Sequence, residues 1–253
     1  MAHRNEENAG PLWSNKTKKT CGMYCTKKNL NGGHVMHGGC LTTLADAALF
    51  TIGEDDLQPN KGWTSNLNMN FVAPVRLGEW VEARGKVTSS TKFLLFLTGE
   101  LHVDERIVAT FTGIVKKAGP HEGHDEDGKL VIDNFEERMG PLWCNKTAKK
   151  CGMYCTKNNL NGGYVMHGGC LATLADASLF TIGVDEIPNL SVTANLNMNY
   201  VSPVRLGEWV EARGKVTSST KYLLFISGEL HVDERIVATF TGIVKKGPPR
   251  SRI

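Results

Sequence analysis

The sequence has no long apolar run. Its uninterrupted apolar stretches, such as Leu94–Leu97, fall far short of the roughly 18 consecutive residues a membrane-spanning helix needs, so no crossing of a bilayer is expected. It has no Lys/Arg block longer than a pair, which leaves no basic stripe for a nucleic-acid backbone, although a net charge of +3 suits a small phosphate-bearing ligand. It also lacks the apolar core of a leader: Met1-Ala-His-Arg-Asn-Glu-Glu-Asn reads as neither signal nor transit peptide, and a cytoplasmic location is expected. An even cysteine count is missing too. The seven cysteines, Cys21, Cys25, Cys40, Cys144, Cys151, Cys155 and Cys170, read as reduced thiols rather than a disulfide framework. With 41% hydrophobic and 22% charged residues, the chain is neither disordered nor collagen-like.

What it does have is an internal duplication. Gly10–Lys117 aligns with Gly140–Lys246 once Gln58 is skipped, and 88 of the 107 aligned positions are identical. A repeat of about 107 residues is too long for a solenoid unit and long enough for a domain with its own core. The expected organisation is module one at 1–117, a linker at 118–139 and module two at 140–253. The linker opens on Gly, Pro, His and acidic residues that cannot pack, and its second half, Leu130–Met139, has apolar residues enough for a short helix on module two.

Within one module, Cys21–Thr26 has β character and Asn29-Leu-Asn-Gly-Gly reads as a turn. From Gly39 to about Ile52 the sequence is apolar nearly all round, the pattern of a buried helix about 21 Å long at 1.5 Å per residue. After a loop over Gly53–Gly62, the segment from Thr64 to Val72 alternates polar and apolar residues as a half-buried strand does. Runs at Glu79–Val87, Lys92–Val103 and Arg106–Lys117 are strand-like, with short connections that favour an antiparallel meander. The expected class is α+β: two tandem modules, each an antiparallel sheet wrapped around one central helix.

Asn31-x5-His37-Gly38-Gly39-x6-Asp46, followed by Asn68-x5-Pro74-x3-Gly78-Glu79, resembles the hot-dog fold acyl-CoA thioesterases of the phenylacetate-degradation (PaaI-like) type. The same pattern returns as Asn161-x5-His167-Gly168-Gly169-x6-Asp176, so the resemblance covers both modules nearly end to end. It implies a double hot-dog hydrolysing acyl-CoA, a small-molecule substrate that brings its own CoA, with no further cofactor. It further implies a hydroxyl contributed with the Asp at the start of the following strand, which falls on Thr64 and Thr193; an ordinary β-branched strand residue is the plainer reading of both.

The residues support this chemistry by themselves. A carboxylate in the middle of an apolar helix is costly unless it is paired or hydrogen-bonded, so Asp46 is either a general base or nucleophile or a residue on a wet helix edge. His37 precedes the helix and Gly38 and Gly39 open it, which points unpaired amides and the positive end of the helix dipole at whatever binds there; a tight turn and a structural histidine are the alternatives. The glycines, Gly39 and Gly169 included, let substrate approach the backbone. Asn31 and Asn161 either hold water or carbonyl through their amides or simply make a turn.

Nine residues separate His37 from Asp46, about 13.5 Å of rise and 900° of rotation, which puts them on opposite helix faces. One module cannot bring them together. Two modules with antiparallel helices can exchange them, giving composite sites of Asn31, His37 and Gly38 with Asp176, and of Asn161, His167 and Gly168 with Asp46. CoA phosphates call for cations, for which Lys92 and Lys221, with Arg76, Arg84, Arg205 and Arg213, are candidates against a reading as surface charge.

His34, His37 and Cys40 have chelating spacing, but Tyr164 replaces His34 in module two and no metal is expected. A hydratase or dehydratase of the same fold and a non-catalytic acyl-CoA-binding module are the alternative functions. Trp63, Phe71 and Phe93 are either core or acyl-pocket residues, and Trp63 opposite Val192 and Lys61 opposite Leu190 mark a loop where the two sites differ. Pairing of chains into a pseudo-tetramer is expected through an outer sheet face carrying either Leu95 and Leu97 or Leu94 and Phe96.

Overall fold

The computed structural model describes residues 12–15, 17–58, 62–117, 142–161, 163–187 and 191–247. The expected linker and its helix at Leu130–Met139 lie outside the described residues, as do Lys61 and Leu190. The first half runs β1 (Trp13–Asn15), β2 (Thr20–Tyr24), a 3-10 turn (Lys27–Asn29), α1 (Gly38–Ile52), α2 (Glu54–Leu57), β3 (Gly62–Phe71), β4 (Trp80–Ser90), β5 (Leu94–Val103) and β6 (Arg106–Lys117). The second repeats it, without a counterpart of α2 among the described residues, as β7 (Trp143–Asn145), β8 (Lys150–Tyr154), a 3-10 turn (Lys157–Asn159), α3 (Gly168–Ile182), β9 (Val192–Tyr200), β10 (Trp209–Ser219), β11 (Leu223–Val232) and β12 (Arg235–Lys245).

Each long helix is the centre of its module. Cys40, Leu41, Leu44, Ala45, Ala48, Leu49 and Ile52 of α1 are all buried, as an all-round apolar helix requires. The sheet makes room for it: a Cβ on Gly113 would lie 2.5 Å from both Cδ atoms of Leu49, so only glycine lets β6 pass under the helix at this distance. Gly242 and Leu179 repeat the contact in the second half. This is the hot-dog fold, present twice.

The strands form one twelve-stranded sheet in the order β1-β2-β4-β5-β6-β3-β9-β12-β11-β10-β8-β7. β4, β5 and β6 make the expected meander, while β3 lies on the far side of β6 because the connection 72–79, too long for a tight turn, carries the chain back across the sheet. That placement lets β3 pair antiparallel with β9, with Asn68 opposite Asn197 near the pseudo-two-fold axis. The seam is stitched on its outer face by asparagines. Asn66 Nδ2 donates to Asn197 Oδ1 (3.0 Å), Met198 O (3.0 Å) and Asn199 Oδ1 (2.9 Å), and Asn195 makes the mirror set to Asn68, Met69 and Asn70.

The alternation along β5 turns Leu95 and Leu97 into the core and leaves Leu94 and Phe96 half-buried on the outer face. Trp63 and Phe93 are exposed, so neither is core, whereas Phe71 packs against both module cores, as Tyr200 does.

One expectation is corrected. Cys144 and Cys151 form a disulfide, so not all seven cysteines are reduced thiols. The reason is register: the two face each other across β7 and β8 with Cα atoms 4.2 Å apart, a separation a disulfide can bridge with little movement. In the first module the partner of Cys21 is Ser14, and Cys21, Cys25, Cys40, Cys155 and Cys170 are buried and take part in no disulfide.

Candidate active site

The approach to each helix is built by a buried asparagine. Asn29 Oδ1 accepts from the Thr26 amide (2.9 Å) and hydroxyl (2.7 Å), while its own carbonyl accepts the His37 amide (2.8 Å). The loop is thereby clamped to the helix it feeds. Asn159 does the same with Thr156 and His167. Sequence reasoning missed both, although Thr-x-x-Asn ahead of a turn is a capping signal. Asn31 and Asn161 follow two residues later, where their Oδ1 atoms accept from the Gly33 and Gly163 amides (2.8 Å each) and from the Val35 and Val165 amides (3.4 Å each), holding the turn.

His37 and His167 are the N-cap residues of α1 and α3, and their Nδ1 atoms accept the Gly39 and Gly169 amides at 3.0 and 3.1 Å. Nδ1 accepts that hydrogen in the ring form that carries its proton on Nε2. No group among the described residues takes the amide hydrogen of Gly38 or Gly168, the first residue of each helix. These two N–H groups, at the positive ends of the helix dipoles, are donors ready for a developing negative charge.

The helices pack antiparallel, and each Asp reaches the start of the other helix. Asp176 Oδ2 lies 3.3 Å from His37 Nδ1 and Asp46 Oδ2 lies 3.0 Å from His167 Nδ1; both carboxylates are buried. A Cβ on Gly38 would sit 3.0 Å from Asp176 Oδ2, and one on Gly168 would sit 3.3 Å from Asp46 Oδ2, so glycine keeps this corner open. The other carboxylate oxygen is held by a hydroxyl: Thr64 Oγ1 donates to Asp46 Oδ1 (2.6 Å) and Thr193 Oγ1 to Asp176 Oδ1 (2.7 Å). The threonines reach inward because of a bulge. The register of β3 against β6 skips Ser65, and without that extra residue strict alternation would send Thr64 to the outer face with Asn66 and Asn68. β9 repeats the irregularity at Ala194.

Two aromatic residues that end β3 and β9 complete the corners. The Phe71 ring comes to 3.4 Å of the Cβ position of Gly38; the Tyr200 ring comes to 3.3 Å of that of Gly168, and its hydroxyl donates to Gly168 O (3.1 Å). Burial, and then the Asp46 charge, push the Tyr200 phenol well above its ordinary pKa, so it stays a neutral donor.

The candidate cations are not in this corner. Lys92 and Lys221 sit at hairpin tips, over the rings of Phe93 (5.3 Å) and Tyr222 (5.1 Å), at the end of the sheet where Thr64 and Thr193 lie. Arg84 and Arg213 pair with Glu82 and Glu211 on the outer face, which removes them from the mouth of either site; Arg76 and Arg205 are exposed. Among the described residues no three His, Cys, Asp or Glu side chains are grouped to hold a metal ion, and His34 is an exposed turn residue with φ of 58°. Burial pushes Cys21 up to about 12 and Cys25 and Cys155 up to about 11, so these thiols keep their protons and offer no nucleophile.

The thioesterase superfamily model matches residues 33–110 and 163–239, one match in each half of the chain. Acyl-coenzyme A thioesterase THEM4 of Mus musculus is 27% identical over 199 residues, covering 74% of this chain and 79% of that protein. Acyl-coenzyme A thioesterase 13 of Homo sapiens is 31% identical over 101 residues, 38% of this chain and 72% of that one. Among solved structures, a hot dog fold protein from Alicyclobacillus acidocaldarius superposes with a TM-score of 0.62 at 13% identity, over 98% of this chain and all of the other. The acyl-CoA thioesterase II TesB2 from Mycobacterium marinum gives 0.60 at 11% identity over 96% of each chain. These structural likenesses speak to the fold; the family matches, spanning more than half the residues, show that this chain belongs to the thioesterase superfamily and is a thioester hydrolase.

Proposed function

We propose that the protein hydrolyses acyl-CoA to free acid and CoA at two composite sites, each taking its helix start from one module and its carboxylate from the other. The observation that carries this reading is the approach of Asp176 Oδ2 to His37 (3.3 Å) and of Asp46 Oδ2 to His167 (3.0 Å) across the module boundary. In the proposed reaction the thioester carbonyl accepts the Gly38 amide hydrogen, which polarises it. A water donates a proton to Asp176 Oδ2 as its oxygen bonds to the carbonyl carbon, and the oxyanion is held at the helix N-terminus. The C–S bond then breaks with its electron pair on sulfur, and the proton on Asp176 passes to the CoA thiolate. Thr193 keeps Oδ1 occupied so that Oδ2 faces the water, and Asn31 Nδ2 orients water or carbonyl. Gly168, Asp46, Thr64 and Asn161 act in the same way at the second site. Gly39 and Gly169 do not admit the acyl group as expected: the Thr173 and Thr43 side chains fill the space beside them, so these buried glycines let α1 and α3 pack closely. Lys92 and Lys221 meet CoA phosphates at the rim. The phenylacetate-degradation type, a cytoplasmic setting with no added cofactor, and pairing of two chains through the outward Leu94 and Phe96 belong to the same reading.

The test is hydrolysis of a panel of aromatic and straight-chain acyl-CoAs, followed by thioester absorbance, with the active species sized by light scattering. The double variant Asp46→Ala/Asp176→Ala should fold and lose turnover. His37→Ala with Asp46→Ala should disable both sites, whereas His37→Ala with Asp176→Ala should leave one working. Equal loss in the two pairs would sink the shared sites; binding of CoA esters without turnover by the unmodified protein would leave a binding module; a single chain's mass would remove the pairing.

A further inference from the structure

The two sites carry the same His, Gly, Asp and Thr, yet they hold the first helical peptide differently. In α1, Thr42 Oγ1 donates to Gly38 O at 2.9 Å. Its counterpart in α3 is Ala172, which has no hydroxyl to give. There the Gly168 carbonyl accepts instead from Tyr200 Oη, at 3.1 Å, and the counterpart of Tyr200 is Phe71, which touches Gly38 without a hydroxyl. Two of the positions at which the modules differ thus exchange one hydroxyl between a helix side chain and a strand side chain, and each site ends with one side-chain donor on the same carbonyl, beside the helix's own amide bond.

That carbonyl matters because of what the other end of its peptide does. The Gly38–Gly39 and Gly168–Gly169 peptides present C=O to the hydroxyl and N–H to His37 or His167 Nδ1 (3.0 and 3.1 Å), and the same Nδ1 faces the Asp from the other module. Two consecutive glycines at a helix start have little intrinsic resistance to rotation of the peptide between them. The helix's own amide bond to that carbonyl restrains the rotation, and a hydroxyl on the same carbonyl restrains it further, and with it the imidazole and the adjoining Gly38 or Gly168 amide.

We propose that Tyr200 is a positioning residue of the His167–Asp46 site, doing for the Gly168–Gly169 peptide what Thr42 does for Gly38–Gly39, and that the two sites are therefore tuned separately. The phenol is the more exacting of the two devices. Thr42 bonds one turn back along its own helix, whereas Tyr200 couples the start of α3 to the end of β9, so movement of the strand reaches the imidazole.

This rests on the hydrolase reading above, and the experiment separates the two. In the His37→Ala/Asp176→Ala background, which leaves the second site alone, Tyr200→Phe should lower kcat about three- to tenfold, the worth of one neutral hydrogen bond, with KM within about twofold. Adding Ala172→Thr should restore kcat, because the new hydroxyl reaches Gly168 O as Thr42 reaches Gly38 O. In parallel, the imidazole 15N resonances of His167 should shift in Tyr200→Phe and return in Ala172→Thr/Tyr200→Phe. An unshifted His167 resonance in Tyr200→Phe, or no recovery with Ala172→Thr, overturns the proposal. A resonance that shifts and returns in a background that hydrolyses no acyl-CoA overturns the hydrolase reading and leaves the positioning role standing.

Discussion

At their outer edges the two halves close the same hairpin with different bonds: Cys144 is joined covalently to Cys151 across β7 and β8, while Ser14 merely faces Cys21 across β1 and β2. At the helix starts they again differ only in which side chain holds a carbonyl, Thr42 in one and Tyr200 in the other. Elsewhere the halves share their strands, the bulge before Asn66 and Asn195 and the paired contacts of the two Asp residues, while the stretch after each long helix differs, with α2 in the first half alone among the described residues and Trp63 opposite Val192. Divergence has been accepted where one bond replaces another, and at the exposed edge, where one bond more is tolerated. It is absent from the paired residues of the seam, where Asn66 to Asn70 and Asn195 to Asn199 are identical.

Three measurements break or sharpen this comparison. The largest effect belongs to the edges. Closing a loop of sequence separation 7 restricts the unfolded chain by about 2 kcal/mol, so Cys144→Ser should lower the thermal midpoint without reductant, and Ser14→Cys, opposite Cys21, should raise it by a similar amount. Loss of both shifts on adding reductant assigns them to the bonds; an unshifted Cys144→Ser midpoint before reductant would erase the difference between the edges. Next is the seam. Asn66→Ala and Asn195→Ala each remove one donor set from mirror-related positions, and each should cost about 1 kcal/mol in denaturant unfolding. Costs differing by several-fold would mean the seam is not symmetric.

The smallest effect concerns acid. Burial raises the pKa of Glu79, but the Arg76 amide and the Arg106 guanidinium (2.7 Å) outweigh it, and the net value is lowered; Glu208 is lowered in the same way by Arg205 and Arg235. A carboxylate with a lowered folded-state pKa stabilises fully above its unfolded value of about 4.3 and loses that contribution as the pH falls through the folded value. Because these pairs are part-exposed, screening keeps each below about 1 kcal/mol. Glu79→Gln and Glu208→Gln should flatten the acid limb of a stability–pH curve by equal, small amounts, and a slope change in only one of them would reveal an asymmetry at these corners.

Much of this was legible in the sequence because helices have a fixed pitch. The apolar run after His37 specified a buried helix, and the rise and rotation between His37 and Asp46 forbade their meeting within one module, so an exchange between modules followed from arithmetic. Strands offered less. Alternation from Thr64 onward identified β3, but strict alternation alone would set Thr64 on the face of Asn66 and Asn68; only the resemblance put its hydroxyl beside the Asp, since one bulged residue reverses parity and leaves no mark in a single sequence. The pairing of β3 with β9, the asparagine stitching and the disulfide all depend on strand order and register, which join residues far apart in the chain. Asn29 was hidden differently: its capping pattern was readable, but a turn asparagine and a buried clamp look alike until the burial is known.

A continuous sheet through both halves changes what a duplicated chain can do. In a pair of identical subunits every substitution is imposed on both sites at once, and dilution separates the partners. Here the second half is always at hand, at an effective concentration that no dilution lowers. Phe71 and Tyr200 occupy corresponding positions without being obliged to match. The same covalency leaves no corner built from one module alone: because each helix start meets a carboxylate from the far half, a distortion of one module reaches both corners, and the duplication confers freedom to diverge rather than a spare copy.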